Sequence, residues 1–507
     1  MPTFAAVDIG ANSVRLKIAR LVRNKLVLVH EDREVVRLGE SVFATSLLAP
    51  PAMAHTVKVM RRFRKAVQEH GDVIVRVAAT SALRDARNSQ AFIDWVHMRT
   101  GWTVEVISGV EEARLIHLGV ISNLRLHASP LLLMDLGGGS CELTLSDQGQ
   151  IRETISLPLG AVRLTQHFLH HDPPRKYEME RLYSFIGEEL ERVDPKIRAA
   201  APKLVIATSG TAAALATAAH TVNPGSRGSS VTAGTAVKLA RILAKRSYPE
   251  RNRLPGIGTR RAEIIIAGAA VFAEILQRCG LAAFRYSPLG LRDGLLQQMA
   301  SDYSRHSKPT EQLASERWRS LLAAGKHYHL DLEQAQHIRK LAMDLFASLR
   351  LLHRLPPEYE EWLSAAAMLH EAGVYINRTG WHRHAYYIIA NSEVLGYTPA
   401  QRRIIAAMAR YLGRMLPSSG DKVIRALDSQ DQDYVPKAVV LLRLARALNQ
   451  GRRRVVTGVV ARARDGRVLL QLKTKRGAGA DLEMWALKRE RAYFRAVLGR
   501  DLEAETV

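Results

Sequence analysis

One short pattern, written twice, does most to limit what this chain can become. Asp8-x-Gly10-x-x-Ser13-x-x-Leu16 returns as Asp135-x-Gly137-x-x-Ser140-x-x-Leu143, 127 residues further on. Both copies sit in the same grammar. An apolar run (Phe4 to Asp8, Leu131 to Asp135) meets a small polar turn (Gly10-Ala11-Asn12-Ser13, Gly137-Gly138-Gly139-Ser140). A second run follows (Val14 to Val22, Cys141 to Ser146), then another turn (Arg23-Asn24-Lys25, Asp147 to Gln150) and a third run (Leu26 to His30, Ile151 to Leu157). Runs of this length between Gly, Asn and Ser clusters predict two three-strand meanders, each opening on a glycine-rich hairpin. Self-similarity at this spacing predicts two related lobes that offer their hairpins to a shared cleft.

Such a pair of loops suits phosphate. Glycine lets backbone N–H groups approach phosphate oxygens, the hydroxyls of Ser13 and Ser140 add donors, and the strand-end Asp8 and Asp135 can hold magnesium directly or through water. Two strand-to-helix turns are candidates for the same cleft. Val73 to Ala78 runs into Thr80-Ser81-Ala82-Leu83-Arg84, and Lys203 to Ala207 runs into Ser209-Gly210-Thr211 ahead of an alanine-rich helix. A helix N-terminus seats anions through its free N–H groups. Taken singly, each of these is an ordinary turn.

The catalytic candidate lies in SGVEEAR at 108–114, after the strand Val104 to Ile107. Ser108 and Glu111 have capping-box spacing, which gives Glu111 a structural role, since its carboxylate is expected to reach back to the cap N–H. Glu112, about 100° further round the helix, is free of that role. A carboxylate at the open end of a phosphate cleft can take a proton from an attacking water. Without the neighbouring motifs it would be a solvated first-turn glutamate.

Charge narrows the ligand. Over 507 residues, 73 Lys and Arg against 49 Asp and Glu leave a formal charge of +24, and a field of that sign concentrates polyanions. Lys238 to Arg261 carries eight basic residues against one acid, and 451–507 carries fourteen against seven, two stretches along which a long polyanion could lie. The apolar stretch Ile264 to Ala273 is far short of the ~20 residues of a membrane helix. The N-terminus MPTFAAVDIG lacks the basic flank of a signal peptide. Two cysteines without a CxxC pair suggest neither a disulfide framework nor a zinc site. A cytoplasmic location and no membrane partner are expected.

In order along the chain stand DIGANS (8–13), TSALR (80–84), ISGVEEARLI (107–116), DLGGGSCEL (135–143), ATSGT (207–211) and LPGIGTRRAEIIIAGAAV (254–271). Together they resemble the exopolyphosphatase / guanosine pentaphosphate phosphohydrolase (Ppx/GppA) family, over about residues 3–300. The resemblance implies an α/β fold of two actin-like, sugar-kinase-like lobes (duplicated RNase H-like folds) at 1–125 and 126–303, with the active site between them. Carried over by position, it implies Glu112 as general base and Asp135 as the magnesium-associated acid, with Glu142 as a further acidic member. It implies Asp8, Gly10, Asn12, Ser13, Arg84, Gly137, Gly138, Gly139, Ser140, Ser209, Gly210 and Thr211 as phosphate-binding positions. The implied cofactor is Mg2+, with or without a monovalent cation, and the implied assembly is a homodimer. Cys141 stands where the family usually has a small hydroxyl residue, and strand alternation is expected to turn it away from the phosphates.

The polar stretch Ser301 to Thr310 predicts a boundary. Residues 311–450 read as helical, with Thr398-Pro399 as N-cap and first-turn proline before Ile404, Ile405 and Met408. Residues 451–507 read as a small α+β module, in which Val455 to Ala461, Asp465-Gly466 and Val468 to Leu472 predict a hairpin. The helical part resembles an HD-type metal phosphohydrolase module that has lost ligands. His337 stands at the first ligand position, Glu371 follows His370 where an aspartate belongs, and His382 and His384 lie downstream. Leu412 replaces a frequent histidine, and Asn449 closes a stretch where a second aspartate is needed. Losing these ligands together argues against a working metal centre there. Long exopolyphosphatases of the family carry the same degenerate module, which implies a role in binding or positioning substrate.

The expected activity is magnesium-dependent release of terminal orthophosphate from inorganic polyphosphate. A guanosine pentaphosphate (pppGpp) 5′-phosphohydrolase would use the same residues on a short ligand. A sugar or acetate kinase would need an adenine pocket and an acceptor. A polyphosphate- or nucleic-acid-binding protein without turnover would leave the carboxylates without a use.

Overall fold

The computed structural model describes the chain except residues 24, 123–129, 223–228, 304–310, 393, 465 and 478. It divides into two compact units, Met1–Pro309 and Thr310–Val507. The expected lobe boundary at 125/126, most of the polar stretch 301–310, and Asn24 and Asp465 of two expected turns lie outside the described residues.

The N-terminal unit repeats one plan. β1 (Thr3–Ile9), β2 (Ser13–Val22) and β3 (Lys25–Val35) form an antiparallel meander, and β4 (Val73–Ala79) and β5 (Val104–Val106) extend it in parallel, in the order β3-β2-β1-β4-β5. The second sheet repeats the meander with β6 (Leu131–Leu136), β7 (Cys141–Asp147) and β8 (Gln150–Leu157). Beyond it lie β9 (Leu204–Thr208), β10 (Ser230–Thr232) and β11 (Ala283–Tyr286), in the order β10-β11-β9-β6-β7-β8. Both first strands sit mid-sheet and are buried almost throughout, which is why they read as unbroken apolar runs. The repeat extends to register. Asp8 faces Arg15 and Ile9 faces Val14; Asp135 faces Glu142 and Leu136 faces Cys141, every pair displaced by the same 127 residues. This is the two-lobed α/β fold that the repeated hairpin predicts.

Two helices join the sheets, Gly109–Ile121 and Leu291–Tyr303. Their Leu115, Ile116, Val120, Leu291, Leu295 and Leu296 share one core with Phe4, Ala6 and Ala78 of the first sheet and Leu131, Leu133 and Ile206 of the second. Burying six such side chains contributes on the order of 10 kcal/mol before conformational entropy is subtracted. A Cβ on Gly294 would stand 1.8 Å from the Leu115 carbonyl oxygen, so the helix backbones touch and a side chain there would force them apart. The shared core therefore fixes the start of Gly109–Ile121, and with it Glu112, against both hairpins.

The main helices of the C-terminal unit are Glu311–His327, Leu332–Ser348, Glu358–Leu369, Trp381–Asn391, Pro399–Arg410 and Ser429–Ala447. Pro399–Arg410 opens on the expected cap: Thr398 Oγ1 accepts from Gln401 N–H at 3.2 Å, and Gln401 Oε1 accepts from Thr398 N–H at 3.0 Å. β12 (Val456–Arg464) and β13 (Arg467–Thr474) form the expected hairpin, and β14 (Asp501–Thr506) joins β13 in parallel after the helix Asp481–Leu498. One buried cluster runs from Leu321 to Leu502 through helices and sheet alike. Among the described residues, no helix is long and apolar enough to cross a membrane.

Candidate active site

The two glycine hairpins close alike: Gly10 N–H donates to the Ser13 carbonyl at 3.1 Å, and Gly137 N–H to the Ser140 carbonyl at 2.9 Å. Further carbonyls of the loops are bonded by neighbouring backbone. Ala11 O accepts from Gly39 N–H, Asn12 O from Val36 and Arg37 N–H, and Gly138 O from Val162 and Arg163 N–H. Oxygens that would repel an anion are thus already neutralised. A cavity of about 520 Å³ opens between the loops. Asp8, Gly10, Asn12, Ser13, Glu112, Asp135, Gly137, Gly138, Ser140, Ser209, Gly210 and Thr211 all line it. Ser209 holds a left-handed φ of 80° and keeps its buried hydroxyl without a partner. Strain of that kind in a non-glycine residue costs on the order of 1 kcal/mol and collects at functional sites.

Three expected site residues do not line the cavity. Gly139 packs against the first lobe, where an added Cβ would stand 2.3 Å from Ser81 Oγ, and its carbonyl accepts from Arg163 Nε at 2.7 Å. Arg84 stands 3.6 Å from Glu112 Oε2 and donates to the Ile107 carbonyl at 2.8 Å. Glu142 is buried and accepts from Ser156 Oγ at 2.8 Å. Cys141 is fully buried in the core of the second lobe, on the opposite face of its strand.

Glu112, Asp135 and Glu142 each place a carboxylate oxygen within 4.8 Å of the others. Burial first, then Glu142, pushes the Glu112 carboxyl well above its ordinary range against the pull of Arg84. Burial and then Asp135 push Glu142 up in turn. Asp8 and Asp135 are also raised by burial, although Asp135 accepts a hydrogen bond from the Thr208 hydroxyl. One oxygen each of Glu112 and Glu142 is buried with no hydrogen-bond donor. Hard carboxylate oxygens without hydrogen-bond donors at this spacing fit a divalent cation such as Mg2+. Ser108 caps the helix, accepting from Glu111 N–H at 3.2 Å. The expected return contact of Glu111 gives way to another: both its oxygens accept from the buried Arg114, at 2.8 Å each.

The cavity also holds cations that the motifs do not point to directly. Arg15, Arg33 and Arg261 line it, and among the described residues none of the three forms an ion pair. Arg33 Nε and Nη2 are buried without acceptors. Burial, then the charge of Arg15, lowers Arg33 to about 10, and burial, then Arg33, lowers Arg261 to about 9. Arg261 Nη1 donates to Thr211 Oγ1 at 3.3 Å. A Cβ on Gly210 would stand 1.5 Å from Arg261 Nη2, so this glycine makes room for a guanidinium. Lys17 and Arg292, also on the lining, are spent on Asp293 and Glu31 at 2.6 Å each. A signal for Arg15 lay in the repeat, since it occupies the position that Glu142 holds in the second hairpin. Arg261 stands within the 254–271 motif; Arg33, near the end of an edge strand, gave no signal.

Known proteins resemble this chain in both of its units. Residues 17–302 match the Ppx/GppA phosphatase family, and residues 317–491 match domain III of the Ppx/GppA phosphatases. A solved exopolyphosphatase from Cytophaga hutchinsonii is similar at 25% identity and a TM-score of 0.56, over 59% of this chain and 98% of its own. The Ppx/GppA family member of Aquifex aeolicus is 30% identical with a TM-score of 0.51, over 61% of this chain and 99% of its own.

Proposed function

This chain belongs to the Ppx/GppA phosphatase family, and from that premise we propose that it is an exopolyphosphatase, releasing terminal orthophosphate from inorganic polyphosphate by attack of water. The observation that carries the proposal is one cavity lined both by Glu112 and Asp135 of the carboxylate group and by three guanidinium groups that have no carboxylate partner among the described residues. A chain of phosphates supplies the negative charge that Arg15, Arg33 and Arg261 lack. Its terminal phosphoryl group is received by the loops 10–13 and 137–140 and by the unpartnered hydroxyl of Ser209 at a helix N-terminus.

Glu112 acts as the general base. Its raised proton affinity makes it a stronger base than an ordinary carboxylate, and Arg84, 3.6 Å away, holds its carboxylate in place. Asp135 and Glu142, with Asp8 nearby, would hold Mg2+, which when bound neutralises charge on the transferring group. The homodimer and the cytoplasmic location, both expectations of the sequence, are part of the same proposal.

The proposal extends to the C-terminal unit as a degenerate HD-like module (311–450) and a terminal module (451–507) without a hydrolytic centre. Supporting this, Arg452 donates to both oxygens of Glu371, at 2.6 and 3.2 Å, so a guanidinium occupies the charge that a metal would need. Asn449 Nδ2 is committed to Gln334 Oε1 at 2.7 Å. His370→Ala should then abolish no phosphodiesterase activity.

The deciding experiment is phosphate release with magnesium from long polyphosphate, short polyphosphate and guanosine pentaphosphate, each over a range of ionic strength. Long chains should give the highest kcat/KM and the steepest loss with salt, as a ligand that displaces many counterions must. A higher kcat/KM for guanosine pentaphosphate, or equal salt slopes for both chain lengths, would overturn the substrate assignment.

A further inference from the structure

The C-terminal unit holds a cavity of about 660 Å³. It forms where the start of the helix Trp381–Asn391 meets Leu412 to Met415 and the helices Ser429–Ala447 and Asp481–Leu498. His382 and Leu412, singled out by the sequence and left without a use, both line it. So do six arginines, Arg378, Arg383, Arg414, Arg443, Arg446 and Arg489, against one acid, Glu490. Glu490 is consumed by Arg443, at 2.6 and 3.0 Å. Among the described residues, the other five form no ion pair. Single unpaired arginines on a surface are commonplace; five around one concavity repel one another and draw in an anion.

The cavity is not charged throughout. The half-buried guanidinium of Arg446 stacks 4.9 Å from the centre of the Trp381 ring and donates to the Leu412 carbonyl at 3.2 Å. Leu412, Met415 and Ala486 give an apolar wall beside that stack. The His382 ring packs where a Cβ on Gly413 would stand 2.5 Å away. Burial and the charges of Arg410, Arg383 and Arg446 keep His382 neutral, so one ring nitrogen can donate and the other accept.

We propose that this cavity is a nucleotide site, with the base laid on the Trp381–Arg446 stack and the phosphates held by Arg378, Arg383 and Arg414. Flat rings stack on indole and guanidinium planes alike, and a volume of this size is ordinary for a small-molecule site. A bare phosphate chain would leave the stack and the apolar wall unused. An uncharged ring would leave the arginines uncompensated.

The test is isothermal titration calorimetry on the full chain in chelator, with ADP, GDP and inorganic pyrophosphate as probes. At least one nucleotide should bind ~10-fold tighter than pyrophosphate or better, as expected for the stacking of one base. The double variant Arg378→Ser/Arg414→Ser replaces two exposed side chains, so the fold is not at risk, and should weaken nucleotide binding ~10-fold or more. Trp381→Leu should erase the preference over pyrophosphate while sparing pyrophosphate binding itself. Equal affinity for nucleotide and pyrophosphate, or no binding of any probe, overturns the proposal. So does nucleotide binding that survives Arg378→Ser/Arg414→Ser and is lost in Arg261→Met, which would put it in the active-site cavity.

Discussion

Replacing Glu112 by Gln is expected to stabilise the metal-free protein while it abolishes turnover. The carboxylate oxygens of the cluster lie within 4.8 Å of one another, and two full charges at that outer limit repel by about 3.5 kcal/mol at an effective dielectric of ~20. The cluster escapes part of this by holding protons, which is what the raised Glu112 and Glu142 carboxyls express. Between its ordinary value of 4.5 and its raised one, Glu112 keeps in the folded state a proton that the unfolded chain has released. Stability from this group is therefore full below the ordinary value and is lost as pH rises through the raised one. Glutamine matches the shape and cannot ionise. Against the gain stands the attraction to Arg84 at 3.6 Å, which ranks behind both burial and Glu142. A net gain of about 1–2 kcal/mol at pH 8 remains, or roughly 2–4 °C in melting temperature. Thermal melts of both proteins in chelator at pH 5 and pH 8 measure it, beside a fall in kcat of at least ~100-fold. A variant that melts below the wild type at pH 8, or a difference that ignores pH, would show that Arg84 outweighs the neighbouring carboxylates. Magnesium should reverse the order of melting by favouring the protein that keeps all three acids.

Glu111→Gln should destabilise by about 3 kcal/mol in a melt, because it under-neutralises Arg114, which is only 1% exposed; a loss near 1 kcal/mol would return Glu111 to a mere capping role. Gly210→Ala should displace Arg261 and raise KM for long polyphosphate several-fold, with Arg261→Met doing the same and the double variant adding little. Arg163→Ala should cost about 2 kcal/mol and lower kcat. This residue donates to Gly139 O at 2.7 Å, pairs with Asp85 and stacks 4.2 Å over Phe43, tying the second loop to the first lobe. An unchanged kcat would mean that the loop is held by other contacts.

What the sequence disclosed follows from which interactions are local. Both hairpins were readable because turn chemistry and strand alternation are written within about ten residues, and duplication confirmed each copy by the other. The cap at Thr398 was readable for the same reason. β10 and β11 were not: three and four residues long, they owe their existence to pairing with each other and with β9. The Glu111 carboxylate misled because its partner was chosen by burial, which no spacing rule expresses. Arg114 lies one turn further along the helix and also takes Gln298 Oε1, at 2.6 Å, from another. Gly210 was assigned to phosphate from its place in a helix mouth, whereas the crowding that demands a glycine there comes from Arg261, distant in sequence and beside it in space.

The repeat also explains how one scaffold yields a site that is not symmetric. Duplication gives the two lobes the same hairpin, the same register and the same strand-end aspartate, so a pair of identical copies would line the cleft with matching charges. The chain departs from identity opposite those aspartates. Arg15 faces Asp8 in the first hairpin, and Glu142 faces Asp135 in the second. A cation in the first lobe lowers the proton affinity of Asp8, while a second acid in the other lobe gathers the Glu112–Asp135–Glu142 group. On the proposed function, one exchange of sign between equivalent strand positions gives the duplicated fold both its place for a divalent cation and its place for the polyanion. The register that keeps both residues opposite their aspartates is set by the glycine turns themselves, so the loops that would receive phosphate also decide where the charges stand.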